Sequence, residues 1–552
     1  MCRFLRFAVS RALAKNPGSL KEYTVGVEVF DRPVSFEPAL DPIVRVEARR
    51  LRSKLCKYFE NEGRLDEIVI ELPKGGYLPK FSLRERPGIS GTPAGGGRGI
   101  AVLPFQNLSI GEDAAYFGEG LTWELTHHLT RIPDLRVVAW NSAARIRGEQ
   151  QDLAGIREKL KVDSILTGSV RLSGERLRVV VQIIDTASGA YLWSETFDGT
   201  TGDVFTIQER IAQQIVKKLT AQSKSPAPQL ARYNPEAYRI YLRARFESNQ
   251  RTESALRQSL ESFHDAARID PNFALAYAGI ADTCALLADY GFEPPLKIVP
   301  QAKAAALRAL ELDSSLAEAH CSLAFITGFC EWNWAGSEVH YLRALDLNPG
   351  YATAHHWFAV DYLAYVGRLD EALEELEIAR QLDPLSSIIN EGRGMLLMYQ
   401  RNYREAAAHY RSLAQTDPQF YKVYGGLGRT LLQMGSYKEA IEQFEMARKL
   451  VGDVPSLLGA MGQAYARNGR EDKARELLAR LHELAASRHI YSTAFAMIHL
   501  GLGEPDRALD WLENGVSRRD LPLASLGVHP AYDELRGNPR FSALLTRVGL
   551  SH

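Results

Sequence analysis

Six cations stand within one helical stretch, DPIVRVEARRLRSKLCKYFE (41–60). Arg45, Arg49 and Arg52 share one flank, and Arg50, Lys54 and Lys57 the other. Cations at that spacing on a rigid rod can neutralise a row of phosphates, the sequence-independent part of nucleic-acid affinity. Val44, Ala48, Leu51, Leu55 and Tyr58 recur between them as an apolar stripe, so the spacing predicts a helix with one buried face. Ile68, Ile70 and Leu72 then alternate with Val69 and Glu71, as a half-buried strand does, and KGGYLPKF (74–81) closes a short hairpin. A basic helix followed by a β-ribbon can place cations in a DNA groove. The competing reading is a solvated helix face. Residues 1–86 hold 17 Lys and Arg against 12 Asp and Glu, a net of 17 − 12 = +5, with Glu47, Glu60, Glu62, Asp66 and Glu67 close to the cations.

RVEARRLRSKL, a strand and KGGYLPKF together resemble the C-terminal half of an OmpR-type winged-helix domain. The resemblance covers about residues 20–82. It implies Arg45, Arg49, Arg50, Arg52 and Lys54 as DNA contacts, with Lys74, Gly75, Gly76 and Tyr77 in the wing. The usual four-stranded sheet ahead of the helices is not evident. The opening FLRFAVSRALAKNPGSLKEYTVGVEVFDRP is instead similar to bacterial regulators that carry this variant before repeat domains. There another helix precedes, so the resemblance implies that Met1 is a late start.

The elements around this stretch are modular. The chain has 552 residues, 45% of them apolar, with a net charge of −1, which suits several cores and excludes a global drive toward nucleic acid or acidic membranes. Five cysteines (Cys2, Cys56, Cys284, Cys321, Cys330) form no C-x-x-C pair, so neither a zinc site nor a disulfide frame is expected. Arg3, Arg6 and Arg11 interrupt the apolar start, arguing against an export signal, and no run of 18 apolar residues predicts a membrane span. A cytoplasmic location is expected.

PGISGTPAGGGRG (87–99) reads as a flexible linker. Its glycines precede a strand rather than a helix and lack the Gly-Lys-Ser/Thr ending of a phosphate loop. Over 100–222 the pattern predicts strands at IAVLPF (100–105) and LRVVAW (135–140) and a helix near 117–131 with Leu121, Leu125 and Leu129. A second helix, 152–162, is capped by Asp152. A three-strand meander follows, with turns at Ser173-Gly174 and Ser188-Gly189, and a last helix spans 204–219. IAVLPFQNLS, YFGEGLTWELTHHL, ILTGSVRLSGERLRVVVQIIDTASGAYLWSETFDG and FTIQERIA resemble a TolB amino-terminal-like, or FlgO-like, domain. The resemblance implies an α/β domain without catalytic activity, of a kind that sits between an output module, such as a nucleotidyl cyclase, and a repeat array. His127 and His128 are adjacent on a helix, point to different faces and are expected to be partly exposed. Tyr191 and Trp193 alternate on a strand and are expected in the sheet core or its rim.

From Asn234 the chain turns helical and repetitive. Pro349, Pro384 and Pro418 recur at spacings of 35 and 34, Ser314 stands 35 before the first, and Pro271 lies 43 before Ser314, which predicts an insertion around 291–300. A period of 34 with a closing Asp-Pro is the tetratricopeptide signature, and seven to eight units over 230–552 are expected, closed by a cap containing HPAYDELRGNPRF. Ala372, Ala406 and Ala440 are the expected close-packing positions, with Leu376, Tyr410 and Phe444 filling the core between repeats. Such an array presents a concave surface suited to a peptide or partner helix. Trp332, Trp334, Trp357, His355 and His356 read as core, with Trp332 and Trp334 as alternative groove contacts.

The expected architecture is therefore multidomain: an α+β winged helix (1–86), an α/β TolB-like domain (100–222) and an all-α tetratricopeptide solenoid. With no G-x-S-x-G, H-E-x-x-H or metal-spaced carboxylates, neither enzyme activity nor a cofactor is expected. The reading is a transcriptional regulator whose partners are duplex DNA and a protein or peptide in the repeat groove, with a homodimer to extend the small DNA footprint. The alternative is a non-catalytic scaffold related to the accessory region of bacterial nucleotidyl cyclases.

Overall fold

The computed structural model describes residues 2–13, 20–33, 35–38, 41, 43–60, 68–73, 76–83, 98–109, 115–130, 132, 135–146, 152–200, 203–219 and 233–550. The expected linker falls almost wholly outside the described residues, as do Lys74 and Gly75. The chain divides into two compact units, Met1–Gly91 and Thr92–His552.

The first unit packs three helices, α1 (Cys2–Leu13), α2 (Glu22–Phe30) and α3 (Ile43–Glu60), with an antiparallel ribbon of β1 (Ile68–Glu71) and β2 (Lys80–Leu83). Phe4, Ala8, Val25, Val29 and Phe36 meet Val44, Ala48, Leu51 and Leu55 of α3 in one core. Gly26 lets the Phe36 ring lie on α2, since a Cβ there would stand 2.2 Å from it. Tyr58, expected in the stripe, is 41% exposed, because the apolar partners end at Leu55. The ribbon is less covered than its alternation predicts: Ile68 is 51% exposed, and the burial falls instead on Leu72, just beyond β1.

The second unit opens with a mixed sheet of order β5-β3-β6-β7-β8, made of β3 (Arg98–Val102), β5 (Leu135–Val138), β6 (Ser164–Ser173), β7 (Arg176–Asp185) and β8 (Tyr191–Thr200). The short β4 (Gln106–Asn107) also pairs with β6. β3 runs parallel to β5 and β6, and the last three strands form the antiparallel meander. Period-2 alternation splits β3 between two cores. Ile100 and Val102 meet α4 (Ala115–Leu129) and α7 (Val204–Leu219), while Ala101 joins a core with α5 (Trp140–Ala144) and α6 (Leu153–Leu160). Asp152 caps α6, accepting from the Gly155 amide at 2.9 Å. Gly174 and Gly189 take positive φ of 60° and 70° at the hairpin turns. The expected strand 135–140 stops at Val138, and Trp140 starts α5. Trp193 is half-buried on Phe197, whereas Tyr191 is 65% exposed.

Eight helix pairs follow among the described residues. They are α8 (Pro235–Ser248) with α9 (Glu253–Ile269), α10 (Ala274–Asp289) with α11 (Pro295–Leu312), α12 (Ala317–Phe325) with α13 (Trp334–Leu347), and α14 (Ala352–Trp357) with α15 (Leu369–Leu382). Next come α16 (Ser387–Tyr399) with α17 (Tyr403–Thr416), α18 (Tyr421–Gln433) with α19 (Tyr437–Val451), α20 (Pro455–Arg467) with α21 (Glu471–Ala485), and α22 (Ser492–Gly501) with α23 (Pro505–Ser517). Ala372, Ala406 and Ala440 are fully buried, and Leu376, Tyr410 and Phe444 are at most 3% exposed. Tyr410 lies so close to Gly394 and Gly426 that a Cβ on either would stand 2.5 or 2.3 Å from its ring. The extra residues around 291–300 lengthen the second pair, with Pro295 at the first turn of the 18-residue α11. α12 and α14 continue as π-helical turns, Ile326–Cys330 and Phe358–Leu363. α24 (Pro539–Arg547) and two short 3₁₀ turns complete the chain's described end. No helix among the described residues is long and apolar enough to cross a membrane.

Candidate functional site

The structure sorts the α3 cations into two kinds. Arg45 donates from Nε to Glu22 at 2.7 Å and also reaches the Pro38 carbonyl. Arg52 donates to the Leu72 carbonyl at 2.9 Å, to that of Pro73 at 3.1 Å and to that of Gly76 at 2.9 Å. Both guanidiniums fasten the unit together, Arg52 by holding the loop of the ribbon to α3. At part-buried Arg52 such charge-assisted bonds contribute about 1.5–3 kcal/mol, whereas Arg45 is 54% exposed and its pair with Glu22 is a surface pair. Arg49 and Lys54 are exposed, with no partner among the described residues. Arg50 is exposed and pairs with Glu47 at 2.7 Å. A surface pair i,i+3 is worth only ~0–1 kcal/mol, so a phosphate can displace Glu47.

In the ribbon loop, Gly76 has open space around the position of a Cβ. Tyr77 turns inward, half-buried against Phe4 at 6.2 Å between centroids, and burial pushes its phenol pKa up with help from Glu22. Of the residues singled out by sequence, Arg49, Arg50 and Lys54 therefore form the outward set, while Arg45, Arg52 and Tyr77 serve the fold. Burial periodicity could not separate them, since both flanks border the apolar stripe.

In the second unit the sheet region docks on the repeat array through the repeats' own closing residues. Asn348 donates to the Thr130 hydroxyl at 3.1 Å. Asp383 accepts from the Ser142 hydroxyl and from Asn141 at 3.4 Å, and Asp417 pairs with Arg145 at 3.0 Å. These three stand one residue before Pro349, Pro384 and Pro418. The landmarks that mark the period thus form a ladder of docking points. The Ala139 amide donates to the Leu382 carbonyl at 2.8 Å. Gly350 allows the close approach, because a Cβ there would stand 2.9 Å from the Thr130 carbonyl oxygen.

His127 departs from its expectation of partial exposure. It is buried, 2.9 Å from Glu318 of α12, and stacked on Trp123 at 5.2 Å. Arg245 lies over the other part of that stack, 4.2 Å from the Trp123 ring. No signal in the sequence links His127 to a residue 191 positions away.

The last described residues also pack on the array. Trp334 Nε1 donates to the Val548 carbonyl at 2.9 Å, and Arg401 pairs with Asp533 at 2.6 Å and donates to the Val528 carbonyl at 2.7 Å. Arg519 covers the Trp332 ring at 4.3 Å. The alternative of Trp332 and Trp334 as free groove contacts is corrected: the cap occupies them. His355 is buried against Glu375 at 2.6 Å. Among the described residues no three His, Cys, Asp or Glu side chains stand close enough to hold a metal.

Comparison with known proteins gives two kinds of match. Residues 97–214 match the HilA/YgeH-like transcriptional regulator second domain. Residues 359–420, 397–456 and 455–480 with 496–514 match tetratricopeptide repeat profiles. The chain is similar to "Putative adenylate cyclase 3" of Rhizobium meliloti (strain 1021), 31% identical over 260 residues, covering 45% of this chain and 44% of that protein. It is also similar to "Transcriptional regulator HilA" of Salmonella typhimurium, 22% identical over 289 residues, covering 52% and 51%. The chain thus spans about half the length of these curated relatives. Among solved structures, yeast Tom70 aligns with TM-score 0.38 at 16% identity, covering 62% of this chain and 77% of that one. A Pseudomonas aeruginosa pilF structure aligns with TM-score 0.30 at 20% identity, covering 41% and 96%. The chain carries a tetratricopeptide array and, ahead of it, a region similar to the second domain of a transcriptional regulator.

Proposed function

We propose that the chain is a transcriptional regulator that binds duplex DNA through the outward face of α3, in a winged-helix arrangement, and a partner protein through its repeats. The observation that carries this reading is the division of labour along α3. Arg45 and Arg52 bond within the fold, while Arg49 and Lys54 are exposed without a partner among the described residues and Arg50 holds only the neighbouring Glu47. Exposed cations on a helix fastened to a ribbon can meet phosphates without rearrangement of the backbone. The similarity of residues 97–214 to a transcriptional regulator's second domain supports it. A TolB-like role for that region is to relay or scaffold, with no catalysis assigned to the chain and no cofactor required. A homodimer working in the cytoplasm would double the footprint of one small module.

The test is a salt titration of duplex-DNA binding by the full chain. Wild type is expected to lose affinity linearly in log salt, and Arg49→Ala/Lys54→Ala to lower the slope by about one unit per lost phosphate contact. Binding that is absent at low salt in a folded chain favours the second reading, a non-catalytic scaffold. Its support is the 31% identity to a protein named as an adenylate cyclase.

A further inference from the structure

The third helix pair brings two imidazoles together. His320 of α12 and His340 of α13 face each other with 3.2 Å between their Nδ1 atoms and 5.4 Å between ring centroids. Both residues are half-buried, so solvent reaches the pair. The repeat sets this juxtaposition. Thirty-five residues on, the same two positions hold His355 and Glu375, with His355 Nδ1 2.6 Å from the carboxylate and His355 Nε2 2.9 Å from the Pro349 carbonyl. His355 thus has an acceptor at each nitrogen. Ser314 stands six residues before His320, as Pro349 does before His355, and its backbone bonds the His320 ring. What differs is the residue across the pair, a second imidazole in place of a carboxylate.

Two imidazoles that meet through one nitrogen each can share a proton or a metal ion. The geometry suits the ion. Zinc binds imidazole nitrogen at about 2.0–2.1 Å, so two nitrogens on one ion, at square-planar or tetrahedral angles, stand about 2.9–3.4 Å apart. A ligating histidine usually donates its other ring N–H to a carboxylate, a backbone carbonyl or water, and the Ser314 backbone is in that place for His320. The surroundings also keep the rings neutral, the form that ligates. Burial, then His340, brings His320 down to about 4, with Arg343 adding to the drop, and burial, then Lys303, lowers His340. Both of those cations are engaged elsewhere. Lys303 holds the two oxygens of Glu331 at 2.8 Å, and Arg343 holds Asp346 at 2.6 Å.

We propose that the Nδ1 atoms of His320 and His340 form a two-histidine site for a borderline divalent metal ion, zinc, copper or nickel, with water in its remaining positions. Among the described residues no third His, Cys, Asp or Glu completes the set, so the ion is exchangeable and clips α12 to α13 rather than forming a closed structural centre. Imidazole ligands select these ions over magnesium and calcium, which take oxygen. The site needs no DNA, so its failure and that of the DNA-binding reading are separable.

The experiment is calorimetric titration of the full chain near neutral pH with zinc, copper(II) and nickel chlorides, and with magnesium and calcium chlorides for comparison. At least one of the first three is expected to bind and to raise the melting temperature, and the last two are expected to do neither. His320→Gln and His340→Gln should each weaken that ion's Kd roughly tenfold or more. Glutamine keeps a polar, hydrogen-bonding side chain at these half-buried positions, so both variants are expected to melt with wild type when no metal is added. His264→Gln removes an imidazole of α9 bonded to Gln301 at 2.7 Å and should leave the binding unchanged. Bound copper(II) is expected to show two imidazole nitrogens by electron paramagnetic resonance. No binding of any of the three ions by a folded chain overturns the site. So does binding that survives both single substitutions, that magnesium matches, or that His264→Gln weakens equally.

Discussion

His127 of α4 and Glu318 of α12 meet at 2.9 Å with side chains only 7% and 9% exposed, the one from the sheet region and the other from the repeat array. Removing one member of a buried pair leaves the other uncompensated, at about 3–5 kcal/mol, whereas replacing both by apolar groups is often neutral. His127→Phe or Glu318→Leu alone should therefore lower the denaturation midpoint sharply, and the double variant should recover most of it. Equal loss in all three would mean that the pair does not couple the two regions.

Asp383 gives a pH-dependent contact. Burial pushes its carboxyl up to about 6, against bonds from Ser142 and Asn141 that favour the charged form. The folded pKa lies above the unfolded value of about 3.9, so between roughly pH 4 and 6 the folded state binds more protons. Stability from this group is greatest below pH 4 and falls as pH rises through 6, by up to ~3 kcal/mol for a shift of about two units. Asp383→Asn should flatten that part of the stability profile, as urea midpoints at pH 4.5 and 7 would reveal.

Gly350 tests the ladder of closing residues. Its Cβ would stand 2.9 Å from the Thr130 carbonyl oxygen and 3.0 Å from the Thr130 Cβ, and the backbone side of that contact cannot yield cheaply. Gly350→Ala should cost about 1–3 kcal/mol by overpacking. Hydrogen exchange should quicken at residues 127–145 more than in α18 to α21.

Arg52 separates fold from binding. With three carbonyls on its guanidinium, Arg52→Ala should loosen the ribbon and lower the thermal stability of the first unit by about 1.5–3 kcal/mol. Arg49→Ala should leave melting within ~0.5 kcal/mol, as exposed substitutions do. If the two variants melt alike, Arg52 has no fastening role.

Local spacing settled a large part of this protein. The 34-residue period determined where Ala372, Ala406 and Ala440 allow helices to close on Leu376, Tyr410 and Phe444, because a helix pair cannot bury its apolar stripe without a neighbour of the same design. Asp152, Gly174 and Gly189 were legible as cap and turns because their roles depend on two or three adjacent residues. The sorting of the α3 cations was not legible, since Arg45 and Arg49 differ only in which other atoms, Glu22 and Pro38 or none among the described residues, come within reach. His127 finding Glu318, Asp383 finding Ser142 and Tyr491 finding Ala288 all join residues more than 190 positions apart. Those contacts follow from how the array curves and where the sheet region docks on it, and curvature is a sum of small rotations at every repeat, which only the assembled structure fixes.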